Sequence, residues 1–120
     1  MKTNKEKIEL IIKDLNFILI NTEKIISQEE LKSNEILLNC VLFLIIQISE
    51  NANKITEKFK NEHHQLPWNK LKGLRNRVVH DYGNVNLGIV FRMIKIDLPL
   101  LLNYFEGLLD DEFVDKINQK

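Results

Sequence analysis

The chain has 120 residues, with 17 Lys and Arg set against 17 Asp and Glu, for a formal net charge of zero. A single domain of this length buries a core without needing a disulfide or a structural metal. A neutral total excludes global attraction to nucleic acid or membrane, so any polyanion binding has to come from local clustering.

The single cysteine, Cys40, excludes an internal disulfide and fits a reducing, cytoplasmic setting. In Leu37-Leu38-Asn39-Cys40-Val41-Leu42 it reads as a buried structural thiol. Four glycines and two prolines lean the chain toward helices.

The basic start, Met1 to Lys7, runs into a segment that carries Glu9, Lys13 and Asp14, so it lacks the apolar core of a signal peptide. Ile8, Ile11, Ile12, Leu15, Ile18, Leu19, Thr22, Ile25 and Ile26 recur at three and four, which predicts an amphipathic helix from Asn4 to Ile26. Ser27-Gln28-Glu29-Glu30 has the spacing of a capping box and predicts a short helix. Ser33 or Asn34 then caps a long third helix, Glu35 to Lys60. Its first half is apolar nearly all round, which predicts a central position. Its second half thins to the stripe Ile48, Ala52, Ile55 and Phe59. The apolar run from Ile36 to Ile48 is broken by Asn39, Cys40 and Gln47, too short and too polar to span a bilayer.

Residues 61–66 form a loop, and Pro67 suits the first turn of the helix that follows. Trp68, Leu71, Leu74 and Val78 continue at helical spacing, with Trp68 as a core anchor, and Gly83 is a left-handed stop. A turn over 83–86 leads to Asn86, which caps the last helix. Pro99 falls inside that helix and predicts a kink. The acidic tail over 110–120 frays. No strand or repeat is expected. The fold class is an all-α antiparallel bundle of four main helices plus a short extra one, a single domain over 1–120.

Chemistry concentrates in Leu74-Arg75-Asn76-Arg77-Val78-Val79-His80-Asp81-Tyr82-Gly83. On a helical wheel Trp68, Leu71, Leu74, Val78 and Val79 define the buried face, and Arg75 and Tyr82 fall within it. A buried guanidinium needs a carboxylate or phosphate, and Glu50 is the in-chain candidate. Asn76 and His80, four apart, share another face, while Lys70 and Arg77 point away from the core. Arg75 and His80 sit far apart around a regular helix. They meet only if the helix ends near Val79 or if a second chain supplies one of them.

From Asn53 to His80 seven basic residues (Lys54, Lys58, Lys60, Lys70, Lys72, Arg75 and Arg77) face two acids, Glu57 and Glu62. That is a local basic surface of the kind phosphate binding uses. Beside a phosphodiester, an imidazole that titrates near neutrality takes the proton from a 2′-hydroxyl or gives one to the leaving 5′-oxygen, and an arginine steadies charge on the non-bridging oxygens. His63-His64 has no nearby cysteine or carboxylate at ligand spacing, so no metal site is expected.

Pro67-Trp68, then Gly73-Leu74-Arg75-Asn76-Arg77-Val78-Val79-His80-Asp81-Tyr82, then Asp97-Leu98-Pro99 resemble the HepT-like toxins of the HEPN superfamily. Arg75, His80 and Tyr82 match their Arg-x4-His-x-Tyr motif. Ser49-Glu50-Asn51-Ala52 is similar to the family's Gly-Glu-Ala region. Asp81 departs from the small residue that many relatives carry there.

The resemblance implies a HEPN helical bundle that forms a homodimer, with the motif helices of both chains lining one cleft. It implies a metal-independent endoribonuclease acting on RNA, transfer or messenger, with no cofactor, as the toxin of a type VII toxin–antitoxin pair. The partner implied is an MNT-type nucleotidyltransferase antitoxin that AMPylates Tyr82. Arg75 and His80 are then catalytic, Asn76 and Glu50 supporting, and Lys70, Lys72 and Arg77 RNA-binding candidates. The alternative is a non-catalytic HEPN module that binds a nucleotide or docks a nucleotidyltransferase.

Overall fold

A computed structural model describes residues 2–80 and 84–110, and for Val79 and His80 only the backbone. Asp81, Tyr82, Gly83 and the acidic tail from 111 lie outside the described residues.

Helix α1 spans Asn4–Asn21. Thr3 opens it with a full capping box, its hydroxyl accepting from the Glu6 amide while the Glu6 carboxylate accepts from the Thr3 amide. The helix ends five residues before the expected Ile26. Thr22 bends its hydroxyl back to the Ile18 carbonyl, 2.7 Å, and the Thr22 carbonyl is taken by the Lys95 ammonium at 3.0 Å. A cation at a helix C-terminus offsets the exposed carbonyls there. Ile26 is left on the surface.

Helix α2, Gln28–Ser33, forms as expected on the Ser27 cap. Asn34 caps α3, Glu35–Asn53, through its side-chain oxygen and the Leu37 amide. The expected single helix to Lys60 is in fact two. The Lys54 amide splits between the Glu50 and Asn51 carbonyls, the chain tightens, and Thr56 caps a new helix, α4, Glu57–Glu62. The start of α1 stitches this break. Asn4 trades two hydrogen bonds with Thr56, and Lys7 donates to the Lys54 carbonyl at 2.7 Å. The apolar stripe survives the break, because Ile48, Ala52, Ile55 and Phe59 are all buried.

The apolar half of α3 is not central. Its buried residues are Val41, Ile45, Ile48, Ser49 and Ala52, packed chiefly on α1, while Ile36 is 87% exposed and Phe43 64%. Cys40 is half-buried rather than buried. As a helix, α3 is long and apolar enough to cross a membrane by length and composition, a property the interrupted run of apolar residues hides. Its inner face already has partners in α1, α5 and α6.

The stretch predicted as one helix from Pro67 is also two, α5 (Trp68–Lys72) and α6 (Leu74–Val78), stepping at Gly73. Two strands of two residues each, β1 (Val79–His80) and β2 (Asn84–Val85), pair antiparallel, against the expectation of no strand. The Asn86 cap then starts α7, Leu87–Arg92. The chain stays helical from Leu87 to Leu109, with Pro99 inside that run as expected. A π-helical turn, Met93–Asp97, precedes Pro99, which follows at the start of the segment α8, Leu98–Leu109. Widening to π geometry is one way to relieve the clash of a proline ring with the carbonyl four residues back.

The core runs through all of these helices, from Ile8, Ile11, Leu15 and Ile18 to Leu98 and Phe105, and the all-α class stands. One charge breaks it. Asp14 is 7% exposed between the apolar turns of α1, and its Oδ2 has no hydrogen-bond partner. Burial pushes its carboxyl above the usual range, with Lys13 pulling the other way.

The folded form thus holds the Asp14 proton more tightly than the unfolded chain does. Its charging therefore weakens the fold as pH rises through that raised value. Asp14→Asn should stabilise the protein by roughly 1–2 kcal/mol at pH 7, with the gain shrinking toward pH 4. Urea melts at the two pH values check this; an equal effect at both contradicts it.

Candidate functional site

Three buried side chains hold the chemistry-rich stretch down: Leu71 from α5, and Leu74 and Val78 from α6. They are spaced three and four apart, one apolar stripe across the step at Gly73. Gly73 has φ −85, so it is not there for a left-handed turn. Ser49 of α3 fixes the step from below, its hydroxyl donating to the Lys72 carbonyl at 3.2 Å. Trp68 anchors the other end of α5. Its indole N–H donates to the His63 carbonyl at 2.9 Å, and its ring meets Phe105 edge-on, centroids 6.0 Å apart.

Past Val78 the backbone leaves the helix. The Val78 carbonyl accepts from the Asn86 amide at 3.3 Å, and Val79 and His80 pair with Val85 and Asn84. The six residues from Arg75 to His80 therefore cross from helix to strand. This is the first of the two geometries under which an arginine and a histidine at this spacing can serve one phosphate. It also removes the helical i,i+4 relation expected between Asn76 and His80.

Arg75 is exposed, not buried as the regular wheel predicts. Leu71, Leu74 and Val78 keep their wheel positions, but Trp68 is only half-buried and Val79 leaves the helix, so the buried face is narrower than the wheel drew it and Arg75 falls outside it. Glu50 is exposed as well and makes no ion pair with Arg75, so that expected pairing is not formed. Among the described residues Arg75 has no acidic partner, and its charge stands open to solvent. Asn76, Lys72, Lys70 and Arg77 are exposed too, as expected for the last two. Tyr82 lies outside the described residues, as does its neighbour Asp81.

Arg77 has a partner that sequence reasoning missed. Its guanidinium reaches Asp97 Oδ2 at 3.4 Å. Asp97 closes the π-helical turn just before Leu98-Pro99. Arg77, Arg92, Lys70, Asp97, Leu100 and Tyr104 share the wall of a cavity of about 560 Å³. A second cavity, about 830 Å³, opens on the other side of Pro67 and Lys70, lined in part by Lys60, His64, Trp68 and Lys72.

His63 is buried, stacked on Phe59 at 4.1 Å, with Nδ1 donating to the Phe59 carbonyl at 2.8 Å. That is a structural role. No group of three His, Cys, Asp or Glu among the described residues is arranged to hold a metal.

Comparison with known proteins points one way. A family model described as ribonuclease HepT-like matches residues 4–108. A protein of Caldanaerobacter subterraneus subsp. tengcongensis named "Putative RNase" is 28% identical over 112 residues, covering 93% of this chain and 99% of that one. "Probable ribonuclease HepT" of Thermococcus cleftensis is 31% identical over 61 residues, 51% of this chain and 56% of that one. A "Putative RNase" of Methanocaldococcus jannaschii is 26% identical over 93 residues, 78% of this chain and 80% of that one. No solved structure matches.

The division of the stretch into anchors and exposed groups can be measured. Leu74→Ala should cost about 2–5 kcal/mol as a buried truncation. Arg75→Ala and Arg77→Ala should each cost less than about 1 kcal/mol, Arg77 losing only a part-exposed pair. Chemical denaturation separates the classes, and an Arg75→Ala loss as large as that of Leu74→Ala would restore the buried arginine.

Proposed function

The chain belongs to the HepT-like ribonuclease family, and on that premise we propose that it is a metal-independent endoribonuclease, the toxin of a type VII toxin–antitoxin pair. The observation that carries the reading is the exposed Arg75, which has no acidic partner among the described residues, on a helix that ends before His80. A guanidinium kept out of ion pairs on a rigid helix is ready for a phosphate.

In the proposed reaction His80 accepts the proton of a ribose 2′-hydroxyl. The 2′-oxygen attacks the adjacent phosphorus and the P–O5′ bond breaks. A proton passes to the leaving 5′-oxygen, from imidazolium or from water. The products are a 2′,3′-cyclic phosphate and a 5′-hydroxyl. Arg75 neutralises the charge that builds on the non-bridging oxygens. Asn76 and Glu50 support the site, and Lys70, Lys72 and Arg77 guide the flanking phosphates.

The proposed active form is a homodimer with both motif stretches lining one cleft, in the cytoplasm. Half-exposed Leu100 and Tyr104 beside Arg77 favour a covering partner, since large apolar side chains on a surface mark interaction sites. An MNT-type nucleotidyltransferase silences the toxin by AMPylation. The Tyr82 phenol oxygen attacks the α-phosphate of ATP, pyrophosphate leaves, and an anionic nucleotide comes to occupy the neighbourhood of Arg75 and His80.

Removal of His80 or Arg75 should lower RNA cleavage about 100-fold or more. The test is induction of the wild type, His80→Ala and Arg75→Ala without the partner, with RNA integrity and growth followed together. Wild type alone should stop growth and cut RNA. Intact RNA in all three cultures would remove the ribonuclease reading and leave a docking module.

A further inference from the structure

The larger cavity lies between the end of α3, α4 and the start of α5, beside the motif rather than on it. Its volume, about 830 Å³, falls in the range of sites that enclose a small organic ligand. Three features of its wall belong together chemically.

The first is Trp68. Its only polar atom is already satisfied by the His63 carbonyl and its ring is braced by Phe105, so the indole is a fixed apolar plate that needs nothing further from the protein. The second is charge. Lys60, Lys70 and Lys72 come from two separate helices, against one carboxylate, Glu57, which sits 3.7 Å from Lys60. Lys70 and Lys72 make no ion pair among the described residues. The third is a set of amides, Asn53, Asn61 and Asn69, each able to donate and accept. An aromatic plate, a row of ammonium groups and amides within reach are what a single strand of nucleic acid asks of a surface: stacking for a base, cations for phosphates, and adaptable partners for base edges.

The cavity is also rigidly joined to the motif. Lys72 is held by Ser49, the Gly73 amide closes α5 on the Asn69 carbonyl at 3.1 Å, and the Arg77 amide takes the Gly73 carbonyl at 3.0 Å. Arg75 thus follows Lys72 by three residues along a stepped but continuous pair of helices.

We propose that this cavity is a second RNA subsite. It holds a single-stranded segment flanking the cut, with one base stacked on Trp68 and the neighbouring phosphates on Lys60, Lys70 and Lys72. The proposal rests on the ribonuclease reading for the identity of the strand, and it adds that the substrate must be unpaired on one side of the cut. A paired segment cannot offer a base to the indole.

The chain has one tryptophan, so Trp68 is its own reporter. His80→Ala protein, which should bind RNA without cutting it, is titrated with a 12-nucleotide single-stranded RNA, the same sequence as a blunt duplex, and ATP. Indole fluorescence and anisotropy of the labelled RNA are read in parallel. The single strand should quench Trp68, while the duplex and ATP should not do so at comparable concentrations. Lys70→Glu with Lys72→Glu, both at exposed positions, should weaken single-strand binding about 10-fold or more and flatten its salt dependence. Trp68→Phe should bind within a few-fold of the parent, and Trp68→Ala more weakly.

Binding with no change in Trp68 emission overturns the subsite, as does equal quenching by duplex or full quenching by ATP alone. Charge-reversed protein that binds like the parent overturns it too. Wild-type cleavage is scored separately. Quenching and charge dependence without any cleavage would retain the subsite and sink the ribonuclease, whereas cleavage with a silent indole would sink the subsite alone.

Discussion

The hydrogen bond from the Asn86 amide to the Val78 carbonyl marks where the helix α6 gives way to a strand. A regular helix through residue 82 would carry His80 away from Arg75, on another face. Instead the helix stops, two residues enter a short ladder with Asn84 and Val85, and the next helix is capped at once by Asn86. The stop is affordable because Leu71, Leu74 and Val78 are fully engaged in the core and Ser49 holds the step between α5 and α6. Core burial on one face leaves Arg75, Asn76 and Arg77 in water on the other.

That arrangement governs the electrostatics. The protein is neutral overall, yet the exposed groups around α5 and α6 are basic, and among the described residues Asp97 engages Arg77 while Arg75 has no acidic partner. A surface that spends one arginine on structure and keeps another unpaired is suited to a ligand that brings its own negative charge. Membership of the HepT-like ribonuclease family gives that ligand a chemical class, RNA.

Much of this was legible in the sequence. Caps at Ser27, Asn34 and Asn86 marked helix starts, because a short polar side chain before an apolar run satisfies free amides wherever it occurs. The apolar stripes of α1 and of Ile48 to Phe59 were read correctly. What failed was continuity. Apolar periodicity runs through a break when both pieces face the same core, as across Lys54–Thr56 and across Gly73. The first break is stitched by long-range bonds, Asn4 to Thr56 and Lys7 to Lys54, and the step at Gly73 by Ser49 to Lys72, none of which a local window contains. Counting Trp68 and Val79 into the buried face put Arg75 within it and suggested Glu50 as its partner. The position of α3 was misjudged for a related reason, since hydrophobicity all round a helix says that it has partners without saying that they lie within one chain. Within the site, the Arg75 and His80 spacing was visible, and the two cavities, which need α3, α4, α5 and α8 in three dimensions, were not.

The central claim is that Arg75 and His80 act on a phosphodiester through the neighbouring 2′-hydroxyl. Its most direct measurement uses one RNA in two forms, all-ribose and with a single 2′-deoxy nucleotide at the mapped cut, incubated with the purified protein in excess chelator. The account predicts that the ribose form is cut to a 2′,3′-cyclic phosphate and a 5′-hydroxyl, and that the 2′-deoxy form stays whole at that position. Cleavage of the 2′-deoxy form at the same bond, or products ending in a 5′-phosphate, would contradict it.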